Sequence, residues 1–261
     1  MTMKRTGLLA LVVLGISPIF VNSAESDSPR TGAFAIARTP GELLGEAARK
    51  VASIIPVDEP INWEVHVPEG YSAESPAGVV VYVSPSQSGT PPRGWSSVMD
   101  ERNLIWISAN QSGNRVLVPR RVMLALLALN AIQQEYVLDK TRVYIAGFSG
   151  GGKIASMIST DYAGTFGGGF FICGVEFWDV DEPRYLDTIK SNRFVFLTGE
   201  HDHALEPTKS VYRKYQDAGV AHIQLVVVRE MGHANPPRRD ISKAIEFLDD
   251  GAFSHTLLPD D

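Results

Sequence analysis

The sequence predicts an α/β protein with a mostly parallel, doubly wound sheet and helices on both of its faces. Short continuous runs of β-branched and aromatic residues recur along the chain, which is typical of strands covered on both sides. Segments with helical periodicity alternate with these runs, and the loops between them are short. With 261 residues, of which 44% are apolar, the chain is long enough to bury a sizeable core.

Hydrophobic patterning predicts the strands in order along the chain. Residues 61–67 alternate apolar and polar side chains, which indicates a half-buried strand. Continuous apolar runs predict six more strands, at 78–83, 104–107, 142–146, 169–173, 194–197 and 223–228.

Helices are predicted between these strands and at both ends of the series. The clearest pattern covers residues 119–136, and others lie at 42–55, 151–160, 207–217 and 239–248. Residues 25–40 are rich in Ser, Pro and Arg, and we interpret them as a flexible lead-in. The expected organisation is a lead-in with a helix over residues 24–60, followed by one domain over residues 61–261.

Composition excludes several classes of protein. The formal net charge is −6 and no run of five like charges occurs, so the chain lacks the basic face that nucleic-acid binding usually needs. A single cysteine excludes an intrachain disulfide bond. We therefore expect no nucleic-acid partner.

The N-terminal segment has the pattern of a signal peptide. Lys4 and Arg5 precede an apolar run over residues 7–21, and small residues follow at the positions that a signal peptidase requires. The run is shorter than the roughly 20 residues that span a bilayer, although an uncleaved anchor is the alternative. We expect residues 1–23 to be removed, with cleavage after Ser23 or Ala24. The mature chain would then be periplasmic or secreted, with no membrane span.

A nucleophile is predicted at Ser149, in the motif Gly147-Phe148-Ser149-Gly150-Gly151. This G-x-S-x-G sequence lies between a predicted strand and a predicted helix, where a sharp turn projects the serine hydroxyl above the sheet. The N-terminus of the following helix favours developing negative charge. The alternative is an ordinary glycine-rich turn.

A serine hydroxyl needs a base to accept its proton, and that base is usually a histidine held by a carboxylate. Asp202 follows the predicted strand 194–197, and His233 follows the last predicted strand. The order Ser149, Asp202, His233 is the chain order of the G-x-S-x-G hydrolases.

Other acids remain open as alternatives to Asp202. Glu200 follows the same strand, and Asp179 and Asp181 follow the preceding one. The run Glu200-His201-Asp202-His203 also contains the side-chain types that bind zinc. We interpret that density as incidental to the turn and expect no metal site.

Two backbone donors are expected to bind the oxyanion of a tetrahedral intermediate. The first is the N–H of Gly150, which follows the nucleophile. The second should come from the loop after Val83. Pro85 in that loop has no N–H, so Ser86 is the better donor and Gln87 the next.

Four aromatic side chains are candidates for a substrate pocket. They are Trp95, Phe148, Phe177 and Trp178, and each has core packing as its alternative role.

These residues together resemble the α/β-hydrolase superfamily, and within it the secreted esterases related to polyhydroxybutyrate depolymerases and feruloyl esterases. The resemblance covers residues 78 to about 248. It rests on Val-Tyr-Val at 81–83, the segment 142–152, Thr-Gly-Glu-His-Asp at 198–202 and Met-Gly-His at 231–233. The chain departs from these esterases at Ser84-Pro85, where they usually carry His-Gly.

The resemblance implies an α/β-hydrolase fold and a serine hydrolase that cleaves a small-molecule or polymeric carboxylic ester through an acyl-enzyme. This chemistry needs no cofactor. Two alternatives are a peptidase of the prolyl-oligopeptidase type and a non-catalytic, exported binding protein on the same scaffold.

Overall fold

The computed structural model describes residues 29–178 and 183–255, with side chains up to residue 250. The expected signal peptide therefore lies outside the described residues. In the described part, eight strands form one mixed sheet in the order β1-β2-β4-β3-β5-β6-β7-β8. The strands are β1 Gly32–Arg38, β2 Ile61–Val67, β3 Ala77–Val83, β4 Leu104–Ala109, β5 Leu138–Phe148, β6 Gly168–Ile172, β7 Arg193–Gly199 and β8 His222–Val228.

Most of the sheet is parallel. β2 pairs antiparallel with both β1 and β4, and every pairing from β4 to β8 is parallel. The predicted sheet class is confirmed, as are the seven predicted strands. Parallel strands end at the same edge of a sheet, so the loops after β3, β5, β6, β7 and β8 share one side of the molecule.

Helices cover both faces of the sheet. They are α1 Pro40–Leu44, α2 Trp95–Arg102, α3 Val118–Glu135, α4 Gly150–Asp161, α5 Leu186–Ser191, α6 Leu205–Asp217 and α7 Arg238–His255. Alternate residues of β3 point to opposite sides. Val79 and Val81 pack into the larger core beneath α3, α4 and α6, whereas Val80 and Tyr82 pack into the smaller core beneath α2 and α7. No helix among the described residues is long and apolar enough to cross a membrane.

The N-terminal region differs from its prediction. Residues 25–40 are not a flexible lead-in throughout, because Gly32–Arg38 form β1 and pair with β2. Phe34 and Ile36 alternate with exposed residues and bury their side chains in the larger core. The Ser- and Pro-rich surroundings obscure this short alternation.

The helices differ from their prediction in two ways: one has different bounds, and two were missed. The helix predicted over residues 42–55 stops at Leu44, because Gly45 adopts a positive φ of 55° and a 3-10 helix, Gly45–Lys50, follows. Helices α2 and α5 were not predicted, since α2 has little apolar periodicity and α5 is only six residues long.

A buried ion pair attaches α7 to the centre of the sheet. Arg142 of β5 donates two hydrogen bonds to the Asp249 carboxylate, at 3.0 and 3.1 Å, and the Tyr144 hydroxyl donates a third at 3.0 Å. Removing one member of such a pair leaves the other charge unpaired in a poorly solvated environment. The pair therefore fixes the helix that follows the His233 loop.

We predict that Asp249→Asn lowers the free energy of unfolding by about 3 kcal/mol, because Arg142 loses its buried counter-charge. Urea denaturation monitored by circular dichroism measures this. The matched control is Glu246→Gln on the same helix. Glu246 pairs with Arg102 and is more exposed than Asp249, so its loss should cost less than about 1 kcal/mol. Equal losses in the two variants would contradict the prediction.

Candidate active site

Ser149 lies on a strained turn between β5 and α4. Its backbone has φ 55° and ψ −124°, a conformation that residues with a side chain rarely adopt. Neighbouring glycines make the turn possible. A Cβ at Gly147 would lie 2.4 Å from the carbonyl oxygen of Gly151, and a Cβ at Gly151 would lie 1.9 Å from that of Val83. The turn therefore packs tightly against the end of β3.

The structure brings Ser149, His233 and Asp202 together in one hydrogen-bonded chain. Ser149 Oγ lies 2.9 Å from His233 Nε2, and His233 Nδ1 lies 2.8 Å from Asp202 Oδ1. With Nδ1 protonated and bonded to the carboxylate, Nε2 is free to accept the serine proton. This arrangement activates a hydroxyl as a nucleophile and stabilises the imidazolium that forms.

The Asp202 carboxylate is buried and well supplied with hydrogen bonds. Only 5% of the residue is exposed. Ala204 N–H donates to Oδ1 at 2.9 Å, and the Thr198 hydroxyl donates to Oδ2 at 3.2 Å. Burial by itself favours the neutral acid. The Ala204 N–H, the Cys173 thiol and His233 outweigh burial and hold the pKa of Asp202 below its ordinary value.

Backbone contacts join the loop after β7 to the loop after β8. A Cβ at Gly199 would lie 2.0 Å from the Met231 carbonyl oxygen, and His201 N–H donates to that same oxygen at 2.9 Å. The acid and the histidine, 31 residues apart in the chain, are therefore held side by side.

The alternative acids do not contact His233 in the described part of the chain. Glu200 is turned outward, and its carboxylate accepts a hydrogen bond from the Glu230 N–H at 3.0 Å. Asp179 and Asp181 lie outside the described residues.

The residues of the run 200–203 do not converge on one point. Glu200 and His201 lie with Glu230 in an exposed group, whereas Asp202 lies with Cys173 and His233. The second group is the hydrogen-bonded site itself.

His203 lies at the site, although the sequence suggested only a possible zinc ligand in the run 200–203. Its ring lies 4.3 Å from the ring of His233, and its Nδ1 lies 3.3 Å from Asp202 Oδ1. The side chain is largely exposed. The carboxylate of Asp202 therefore faces two imidazoles, of which only that of His233 reaches the serine.

The two expected oxyanion donors differ in outcome. Gly150 occupies the first position of α4, and its N–H has no hydrogen-bond partner within the described residues. The Ser86 N–H donates to Ser84 Oγ at 3.2 Å within the loop, so this bond competes with its expected role. The Gln87 N–H, the next donor in the loop, has no partner among the described residues.

A pocket of about 360 Å³ opens beside the serine hydroxyl. Its walls come from the first turn of α4, the segment after β6 and the first turns of α6. Val175, Ala204 and Val211 are among the apolar lining residues, while the ion pair between Lys153 and Glu176 lies at one side with its groups 2.7 Å apart. The volume is at the lower end of the roughly 300–1,000 Å³ typical of ligand sites.

None of the four aromatic candidates lines this pocket. Trp95 has no exposed surface and packs edge to face on Tyr82 in the smaller core, so its assignment to substrate binding was wrong. Trp178 stacks on Phe177, with ring centroids 4.0 Å apart, and both pack on Tyr215 at the edge of the larger core. Trp178 therefore packs at the edge of the core and does not line the described pocket.

Phe148 is the aromatic candidate that lies at the site. Its ring centroid is 5.0 Å from that of His233, although it is not a lining residue of the described pocket.

Cys173 lines the pocket next to the Asp202 carboxylate. It directly follows β6, and its position after the carboxyl end of a strand was the signal that could have identified it. Its Sγ lies 3.6 Å from the Ala234 carbonyl oxygen, and only 2% of the residue is exposed. Burial, followed by the hydrogen bond with Asp202, raises the pKa of the thiol to about 12.

No protein-family model matches the chain, and no curated protein matches it in sequence. Solved structures do resemble it. A ferulic acid esterase superposes with a TM-score of 0.64 at 17% identity, over 85% of this chain and 99% of its own. An S-formylglutathione hydrolase from Staphylococcus aureus superposes with a TM-score of 0.58 at 15% identity, over 86% and 98%.

A peptidase is also similar in structure. Dipeptidyl peptidase 4 from Porphyromonas gingivalis superposes with a TM-score of 0.55 at 17% identity, over 74% of this chain but only 34% of its own.

We predict that the Cys173 thiol reacts at pH 8 at least about 100-fold more slowly in the folded protein than in urea, since thiolate is the reactive form. The absorbance released from a disulfide dye measures both rates. Cys173→Ser is the control, because it removes the chain's only cysteine and all of the signal. Equal rates in the two states would contradict the buried, neutral thiol.

Proposed function

We propose that this chain, which has the α/β-hydrolase fold, is a serine hydrolase that cleaves carboxylic esters through an acyl-enzyme. The observation that carries the proposal is the unbroken hydrogen-bonded chain from Ser149 through His233 to the buried Asp202. The structural likeness to an esterase and an S-formylglutathione hydrolase, nearly over their full lengths, supports hydrolysis of an ester.

In the first half of the reaction, Ser149 Oγ attacks the ester carbonyl carbon while His233 Nε2 accepts the hydroxyl proton. Asp202 holds the imidazole in the required orientation and stabilises its positive charge. The carbonyl oxygen, which develops negative charge, accepts a hydrogen bond from the Gly150 N–H. The Gln87 N–H is our candidate for the second donor.

His233 then gives its proton to the departing alkoxide, which leaves as the alcohol, and the acyl group stays on Ser149. In the second half, water attacks the acyl carbon while His233 accepts a proton from it. His233 returns that proton to Ser149 Oγ as the bond between Oγ and the acyl carbon breaks, which releases the carboxylic acid and regenerates the enzyme. Protein side chains supply every proton transfer, so we expect no cofactor.

The pocket beside Ser149 suits one moiety of a small ester. Its apolar walls would hold the acyl or alcohol group, and the rest of a longer or polymeric substrate would extend outside it. A prolyl-oligopeptidase-type peptidase would use the same three residues, so a matched set of esters and peptide amides decides between them.

We predict that Ser149→Ala abolishes both covalent labelling by a fluorescent fluorophosphonate and hydrolysis of p-nitrophenyl acetate and butyrate. The variant lacks the attacking oxygen, and its turnover should fall by at least about 10⁴-fold. Wild type should be labelled at Ser149 and should turn over the esters. Unchanged turnover in the variant would overturn the proposal, and a folded but unlabelled wild type would favour a non-catalytic binding protein.

Asp202 and Glu200 lie on the same loop, so substitution of Glu200 is a matched control for substitution of Asp202. Asp202→Asn should lower kcat by about 10⁴-fold, because the amide favours the wrong imidazole tautomer. Glu200→Gln, on the same loop but turned outward, should leave kcat within about twofold. The reverse pattern would assign the acid to Glu200.

We also propose that the chain is exported, on the basis of the charged start, apolar run and small residues before position 24. Mass spectrometry of the protein recovered from fractionated cells tests this. A mature chain that begins at Ala24 or Glu25 outside the cytoplasm is expected. An intact N-terminus in the cytoplasm would contradict export, and an intact N-terminus in the membrane fraction would indicate an uncleaved anchor.

A further inference from the structure

Arg121 of α3 is a buried residue with no part in the reaction steps proposed above. Only 4% of the residue is exposed, although its charged group belongs to the class that is rarely buried without a partner. In the described part of the chain, its hydrogen bonds go to backbone carbonyls and it forms no ion pair. Burial lowers the pKa of Arg121, yet a guanidinium remains charged at neutral pH.

The two carbonyls that Arg121 contacts belong to the two sides of the expected oxyanion site. Nη1 donates to the Gly150 oxygen at 3.2 Å, and Nη2 donates to the Ser84 oxygen at 3.0 Å. Gly150 supplies the N–H next to the nucleophile, and Ser84 begins the loop that should supply the second N–H. One planar side chain therefore connects both.

Arg121 supports the start of the loop after β3. Pro85 lacks an N–H, and the Ser86 N–H donates to Ser84 Oγ. Further along the loop, the Pro85 oxygen accepts the Asn114 N–H at 3.0 Å and the Gln87 oxygen accepts the Gln111 N–H at 2.7 Å, so Arg121 adds the contact that holds the first peptide, between Ser84 and Pro85. Because the guanidinium holds its N–H groups in a fixed fork, it fixes the separation of the two carbonyls and the orientation of their peptide planes.

We propose that Arg121 is a positioning residue that holds the two halves of the oxyanion site in register. This inference rests on the proposed function, since only a reaction that develops negative charge at Gly150 requires it. Its positive charge also lies behind the backbone groups that face the developing anion, where it adds a favourable potential. Arg121 acts through Ser84 and Gly150, and it does not contact the substrate.

The test compares Arg121→Met, which keeps the length but removes every donor, with Arg121→Lys, which keeps the charge but not the fork. Arg120→Met is the matched control, because the neighbouring Arg120 pairs with Glu59, away from Ser149. For each variant, kcat and KM for p-nitrophenyl butyrate are measured, with the inhibition constant of a trifluoromethyl ketone, whose serine adduct carries an oxyanion. Thermal melting reports the folded fraction.

We expect Arg121→Met to lower kcat by about 100-fold, as a small misplacement of reacting groups does, with KM changed by less than about threefold. Affinity for the ketone should fall by a similar factor, and Arg121→Lys should lie between Arg121→Met and wild type. Arg120→Met should match wild type.

Several outcomes would overturn the inference while leaving the proposed function intact. One is an unchanged kcat in folded Arg121→Met, and another is a lower kcat with undiminished affinity for the ketone. If Arg121→Met does not fold, Arg121→Lys decides by the same two readouts, and failure of both to fold would make the residue a determinant of the fold alone. A wild type that neither labels nor hydrolyses would instead remove the proposed function, and the inference with it.

Discussion

At the carboxyl edge of this sheet, backbone segments approach each other more closely than a side chain between them would allow. These contacts hold the edge together, and the geometry of the site depends on them. At Gly151, helix α4 meets the end of β3, and at Gly199 the loop after β7 meets the loop after β8. A parallel sheet allows this because its strands end at the same edge. The hydroxyl, imidazole and carboxylate come from three separate loops, and these contacts bring them within hydrogen-bond distance.

Two buried charges of opposite sign contact neighbours of Ser149, since Asp202 contacts His233 and Arg121 contacts Gly150. The Asp202 carboxylate accepts the Ala204 N–H, and the Arg121 guanidinium donates to the carbonyls of Ser84 and Gly150. Backbone N–H and C=O groups thus compensate much of each buried charge. Dipoles that the fold has already oriented need little reorganisation when charge develops in a reaction, and this is the main way in which a protein site stabilises a transition state.

The elements that sequence reasoning identified are those with a local periodic signal. The seven strands from β2 to β8 show alternation or continuous apolar runs, and the structure contains all of them. Strand β1 was missed because two inward residues, Phe34 and Ile36, are a weak pattern within a Ser- and Pro-rich segment. Trp95 was misplaced for a different reason, since an aromatic ring suits a core and a pocket equally and only its surroundings decide.

The sequence by itself determined the sheet class, the serine between two turn glycines, and the order of a serine, an acid and a histidine after β5, β7 and β8. Those features are local, because periodicity and turn chemistry are properties of a few adjacent residues. Tertiary structure alone decided that Ser86 donates within its own loop, that the His203 ring lies against that of His233, and that Arg121 joins residues 29 and 37 positions away. The partners of Arg121 are backbone carbonyls, which every residue carries, so no sequence pattern marks them.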